Sequence, residues 1–218
     1  MAGRALCDQG REMKSRIAGV LAAVLTLAAA AVVLGQRDIS ISEATSAPAG
    51  VVDSVIPREE ALRRFREGMA PIDSLEGGAS SREALVRAFV QALQTADTTT
   101  LRRLTLTRRE FAYLYYETNP QSLPPYDLSP SLFWFMLEGG SRGGLIKALE
   151  GRGGAPLGYL RTRCEGDPVR EGENRLYGPC YIVRKQGVRG DSLVERLFGP
   201  IIERRGWWKF VSYTNKLD

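Results

Sequence analysis

The chain has 218 residues, 44% hydrophobic and 25% charged, with a formal net charge of +5, a composition that suits one globular core. It has no histidine and three cysteines, which excludes Ser–His and Cys–His dyads, His-ligated metal and a Cys-rich cage. Its arginines are scattered, so nucleic acid is not an expected partner; no cofactor and no metal site are expected.

Residues 1–16 are polar and net positive, and Ile17–Gly35 then runs without a charge. This is the layout of a signal sequence or a signal-anchor, and its length is close to the ~20 residues that span a bilayer. An N-terminal hydrophobic helix is expected over residues 1–35. The rest should lie outside the membrane, at the cell surface or in a periplasm, secreted or anchored through residues 17–35 if these are not cleaved. Residues 36–56 are rich in Ser, Ala, Thr and Pro and read as a flexible linker. Residues 57–218 form the domain.

Helices come first. Pro57–Gly68 places Leu62, Phe65 and Met69 on one face, with Glu59–Arg63 and Glu60–Arg64 as i,i+4 pairs. Ser80-Ser81-Arg82-Glu83 reads as a capping box with Ser80 as the cap. Its helix runs to about Ala96, with Leu85, Phe89 and Leu93 inward. Asp97 caps a short helix with Leu101 and Leu104, and Thr107–Glu110 is a second capping box opening a helix to about Glu117. A proline loop, 119–128, precedes a helix over Ser131–Glu138 that is apolar all round and so expected to be buried. Ser141 is expected to cap one more helix, with Leu145, Ile146 and Leu149 inward. The glycines of 139–154 do not fit a phosphate loop, because no Gly-Lys-Ser/Thr follows.

Strands come last. Leu157–Cys164 and Tyr177–Val183 form one expected pair, Leu193–Glu203 and Trp207–Thr214 another. A hairpin centred near Gly172 sets Cys164 opposite Cys180, within bridging distance, and an exported domain would oxidise them. The stretch between them, Glu165–Arg175, is polar enough for a loop. Gly199-Pro200 should bend the third strand, since proline cannot donate to a ladder. In the last strand Trp208 and Phe210 share a face opposite Lys209. Lysine is costly to bury, so the Lys209 face should be the wetter one, and Trp208 should meet Trp134 across a shared apolar cavity. The fold class is α+β: helices packed on a curved, mostly antiparallel C-terminal sheet.

Two stretches carry a family resemblance. The helix ending in Thr95-Ala96-Asp97, with the short helix after it, resembles the opening of nuclear transport factor 2-like (cystatin-like) domains. Gly206-Trp207-Trp208-Lys209-Phe210-Val211-Ser212 is similar to their last strand. The resemblance covers about residues 80–214 and implies a cone-shaped roll that holds a small apolar ligand, as in ketosteroid isomerase-like members. Phe89, Phe111, Tyr115, Phe133, Trp134, Tyr181 and Trp208 would line such a pocket. The catalytic members use Asp or His groups with a tyrosine. Here the traced inward stripes hold no carboxylate, which leaves Tyr115 with Asp127 or Glu195 as the acid–base candidates. Asp127 reads better as a turn residue and Glu195 as a strand position paired with an arginine. The expected function is therefore a non-catalytic ligand- or partner-binding domain outside the membrane; the alternative is a ketosteroid isomerase-like enzyme. Expected partners are a small apolar ligand, the membrane through residues 17–35, and a second copy through the sheet.

Overall fold

A computed structural model describes residues 56–186 and 191–217. The apolar run Ile17–Gly35 and most of the linker lie outside the described residues. Among the described residues no helix is long and apolar enough to cross a membrane.

Helix α1, Arg58–Phe65, follows Pro57 and buries Leu62 and Phe65. Arg63 pairs with Glu60 and Glu67 rather than with Glu59, and Glu60 also holds Arg64. Helix α2, Arg82–Gln94, is capped by Ser81, whose Oγ accepts the Ala84 N–H at 3.1 Å. The cap thus lies one residue later than the sequence pattern implies. The third helical residue becomes Ala84, and Glu83 is left to pair with Arg87 and to accept the Tyr159 hydroxyl. Asp97 caps α3, Thr98–Arg103, as expected.

The second capping box forms. Thr107 caps the single turn α4, Arg108–Glu110, and the Glu110 carboxylate returns to the Thr107 N–H. The chain then widens into a π-turn over Phe111–Tyr115 and tightens into 3-10 turns at Tyr116–Thr118 and Pro120–Ser122.

The two helices expected between Ser131 and Leu149 are one, α5, Pro130–Arg152, capped by Ser129. Ser141 is not a cap: its Oγ accepts the Tyr213 N–H at 3.1 Å. A Cβ built on Gly144 would run into the Tyr213 carbonyl, so a glycine is what lets the helix lie against the C-terminal segment. The apolar stretch at its start is not buried all round. Phe133 is buried, but Leu132, Phe135 and Met136 are exposed, Phe135 by 72%. Only one side of the helix is covered.

Seven strands follow among the described residues: β1 Tyr159–Cys164, β2 Val169–Glu171, β3 Asn174–Tyr177, β4 Cys180–Gln186, β5 Asp191–Glu195, β6 Ile201–Arg204 and β7 Trp207–Phe210. They form two antiparallel sheets, β1-β4-β5 and β2-β3-β6-β7, neither closed into a barrel. The chain passes from one sheet to the other three times, after β1, β3 and β5. Each crossing carries a proline: Pro168, Pro179 and Pro200. Proline lacks the N–H a ladder needs, and each stands immediately before the first residue of the next strand, so no ladder runs on through the crossing. Gly199-Pro200 thus does more than bend a strand, because Leu193 and Ile201 belong to different sheets. The expected loop Glu165–Arg175 holds β2 and the start of β3, a hairpin with Glu171 opposite Asn174, and Tyr177 belongs to β3 rather than to the strand that begins at Cys180. Cys164 lies opposite Cys180 and is bonded to it.

Two aromatic clusters make the core. Phe89 stands at the centre of the first, with Phe198, Phe210 and Tyr213 at 5.3–5.4 Å. In the second, Phe111 is ringed by Phe65, Tyr115, Tyr116, Phe133 and Trp134. Trp134 and Trp208 belong to different clusters, so they do not share a cavity. The expected wet face at Lys209 is also overturned. Lys209 is 0% exposed, and Trp208 is half-buried. Lys209 is tolerated inside because Glu110 is there to meet it.

Candidate ligand-binding cleft

Where α5 passes the α3–α4 connection it leaves a cleft of about 590 Å³. Its apolar floor is Trp134, Leu137 and Leu145 of α5 with Val211 and Tyr213 of the C-terminal segment. Arg102, Arg108 and Arg142 stand around it, with Thr105, Thr107 and Ser141 between them and Glu138 as the one carboxylate in its lining. Local structure puts them there. The last turn of α3 presents Arg102, the Thr107 cap presents Arg108, and Ser141 and Arg142 follow one turn after Leu137 and Glu138.

The charges are unevenly matched. Arg142 pairs with Glu138 at 3.1 Å, one helical turn away, and Arg109, which points elsewhere, pairs with Glu76. Arg102 and Arg108 pair with no carboxylate among the described residues. The Arg108 guanidinium sits 4.5 Å from the centroid of the buried Phe65 ring. Thr107 and Ser141 each accept one backbone N–H and keep their own hydroxyl hydrogen for a further partner. Tyr213 does not, because its hydroxyl donates to the Leu101 carbonyl at 2.6 Å, and burial pushes the phenol up. The arrangement can seat an apolar body on the floor and an anionic group among the guanidiniums.

Beneath the cleft lies a network that the sequence does not announce. Glu110 accepts the N–H groups of Glu76 at 2.7 Å and Thr107 at 2.6 Å, and Lys209 Nζ at 2.8 and 3.0 Å. Lys209 also donates to the Glu76 carbonyl at 2.7 Å. Burial pushes the ammonium down from its ordinary value, and Glu110 opposes that shift. The only sequence signal was the capping box, which marks Glu110 as a committed carboxylate but says nothing of Lys209.

Of the residues expected to line a pocket, Trp134 lines this cleft. Phe89, Phe111, Tyr115 and Phe133 are buried inside the two filled clusters. Tyr181 borders a second groove of about 680 Å³, with Lys147, Glu150, Val194 and Arg196. Trp208 stacks on Tyr177 at 4.9 Å, with Arg82 on that ring, and its backbone pairs with Ala79.

The three acid–base candidates are not brought together into one open site. Tyr115 is buried, and desolvation and the nearby Glu171 push its phenol up. Asp127 is exposed in a turn with φ 44°. Glu195 is buried between Arg152 and Arg184. Burial would raise its carboxyl, but the hydrogen bonds from Arg184 and Arg152 prevail and hold it at about 2, the opposite of a group poised as a base. The acid with a raised carboxyl is Glu171, desolvated and holding the Asn119 amide at 3.1 Å. No group of three or more metal-binding side chains is present among the described residues.

A scan against models of protein families, a search of curated proteins and a search of solved structures find no match to this chain.

Proposed function

We propose that the domain is a non-catalytic ligand-binding module outside the membrane, and that the cleft beside α5 takes an amphipathic anion. The ligand would lay an alkyl or aryl body on Trp134 and Leu137. Its carboxylate, phosphate or sulfonate head would meet Arg102 and Arg108. One observation carries the reading: two arginines without carboxylate partners stand at the mouth of an apolar floor. This amends the expected small apolar ligand by adding a charged head. The Cys164–Cys180 disulfide is consistent with an oxidising compartment. The order of elements, helices and then antiparallel sheets, supports keeping the nuclear transport factor 2-like resemblance within this proposal.

Two fluorescent probes test it. 8-Anilinonaphthalene-1-sulfonate and N-phenyl-1-naphthylamine share an aryl body, but only the first carries an anion. The sulfonate should bind the full chain more tightly, and its affinity should fall with salt. Arg102→Ala with Arg108→Ala should weaken it by about tenfold or more, since a hydrogen bond to a charged group is worth about 1.5–3 kcal/mol. The neutral probe should not respond to the double variant. Equal binding of both probes, unchanged in the double variant, would refute the proposal.

A further inference from the structure

Helix α5 has three faces. One packs on the core through Phe133, Gly144 and Ala148. A second, with Trp134, Leu137 and Ser141, lines the cleft. The third carries Leu132, Gly139, Gly143 and Ile146 with the adjacent pair Phe135 and Met136, each three or four residues from a neighbour along the helix and so on one stripe. It holds no charge. Its four large side chains are 47–72% exposed, and a Cβ built on Gly139 or Gly143 would meet nothing within 4 Å. Gly144 is required by contact with Tyr213. Nothing among the described residues asks for glycine at 139 or 143, although glycine disfavours a helix interior.

We infer that this stripe is the interface with a second copy of the chain, the two α5 helices crossing antiparallel at Gly139 and Gly143. The middle of the stripe is its own complement, while Leu132 and Phe135 at its start fall level with the partner's Glu150 and the partner's Lys147. A two-fold axis at Ser141 sets Gly139 against the partner's Gly143 and Met136 against the partner's Ile146. An isologous interface needs this self-complementarity, and the open glycines let the two backbones approach closely. Charge agrees. Glu138 and Arg142 stand along one edge of the stripe, and the two-fold keeps the partner's Glu138 and Arg142 on that same edge, with opposite signs abreast. The stripe is about 21 Å long at 1.5 Å per residue, which makes for a modest contact. The dimer forms through a helix, not through the sheet.

The test is cross-linking in the full chain with Cys7→Ser. Chains carrying Gly139→Cys and chains carrying Gly143→Cys, with different tags, are exported together and mildly oxidised. The mixed 139–143 product should exceed both like-with-like products severalfold. A disulfide needs Cα atoms within about 7 Å, so it reports the close crossing itself. Dominant like-with-like products would overturn the antiparallel arrangement, and no product would overturn the dimer. In sedimentation the detergent-solubilised chain should be dimeric at about 100 µM, above the micromolar Kd a modest interface supports. Phe135→Glu should make it monomeric, with the wild type's melting temperature at concentrations too low for the dimer and no rise as concentration increases. A monomeric wild type whose Phe135 is shielded only when phosphatidylcholine vesicles are added would mean that a lipid surface covers the stripe, and would end the proposal.

Discussion

Lys209 illustrates how far a residue-level rule reaches. The cost of burying an ammonium is real, and burial does push its pKa down. The rule misplaces Lys209 because its partner, Glu110, lies 99 residues away and reads in sequence only as part of a cap. Lys209→Met should therefore destabilise the domain by about 3–5 kcal/mol, because it leaves a buried carboxylate uncompensated. Adding Glu110→Gln should recover part of that loss, which a chemical-denaturation double-mutant cycle would measure. An additive cycle would mean the two groups are not coupled. Glu171 supplies the opposite sign. Its folded pKa is raised by burial, so the folded state binds its proton more tightly than the unfolded state. Stability from this group is full below the unfolded value and falls as pH rises through the folded one. Glu171→Gln should raise the melting temperature at pH 7 and leave it nearly unchanged at pH 4, while Asn119 keeps an acceptor. A loss at pH 7 would show that the ionised carboxylate is needed.

Among the elements, α5 was the hardest to read. Its glycines look like breaks, and two short helices were the natural expectation. Glycine costs up to about 1 kcal/mol against alanine within a helix, which packing can outweigh. The structure assigns the glycines different work. Gly144 lies against the Tyr213 backbone, whereas Gly151 faces open space. Gly144→Ala should then cost about 1–3 kcal/mol or more through overpacking. Gly151→Ala should gain up to about 1 kcal/mol from helix propensity. Thermal melts of the two variants should move in opposite directions; a shift of the same sign in both would undo the assignment. The capped helices α3 and α4 were legible because caps are local chemistry. The π-turn after Glu110 was not, since Phe111, Leu114 and Tyr115 satisfy a helical period whichever turn width the chain adopts.

At the scale of the whole described unit, helices before strands and an α+β class were readable from periodicity. The division into two sheets was not, although its punctuation is present. Pro168, Pro179 and Pro200 each stand at a crossing, but a proline says that a ladder stops and not which sheet the chain joins next. The candidate site was legible only at Trp134. Phe89 and Phe111 have the same composition and spacing whether they line a cavity or fill a core, and here they fill it. Cys164 and Cys180 were legible because a hairpin makes their pairing local. That bridge ties β1 to β4 across the segment holding β2 and β3, so one covalent link constrains the chain while it leaves one sheet and returns to it. For a loop of this length the chain-entropy contribution is about 3 kcal/mol. Replacing both cysteines by alanine should lower the urea midpoint by about 1.5 M at an m-value near 2 kcal/mol/M. Reducing the wild type with dithiothreitol should do the same, and the alanine variant should not respond to reductant. Alkylation of unreduced exported protein should leave both sulfurs unlabelled. If both label without reductant, or if reductant leaves the midpoint in place, the bridge does not tie β1 to β4 as argued.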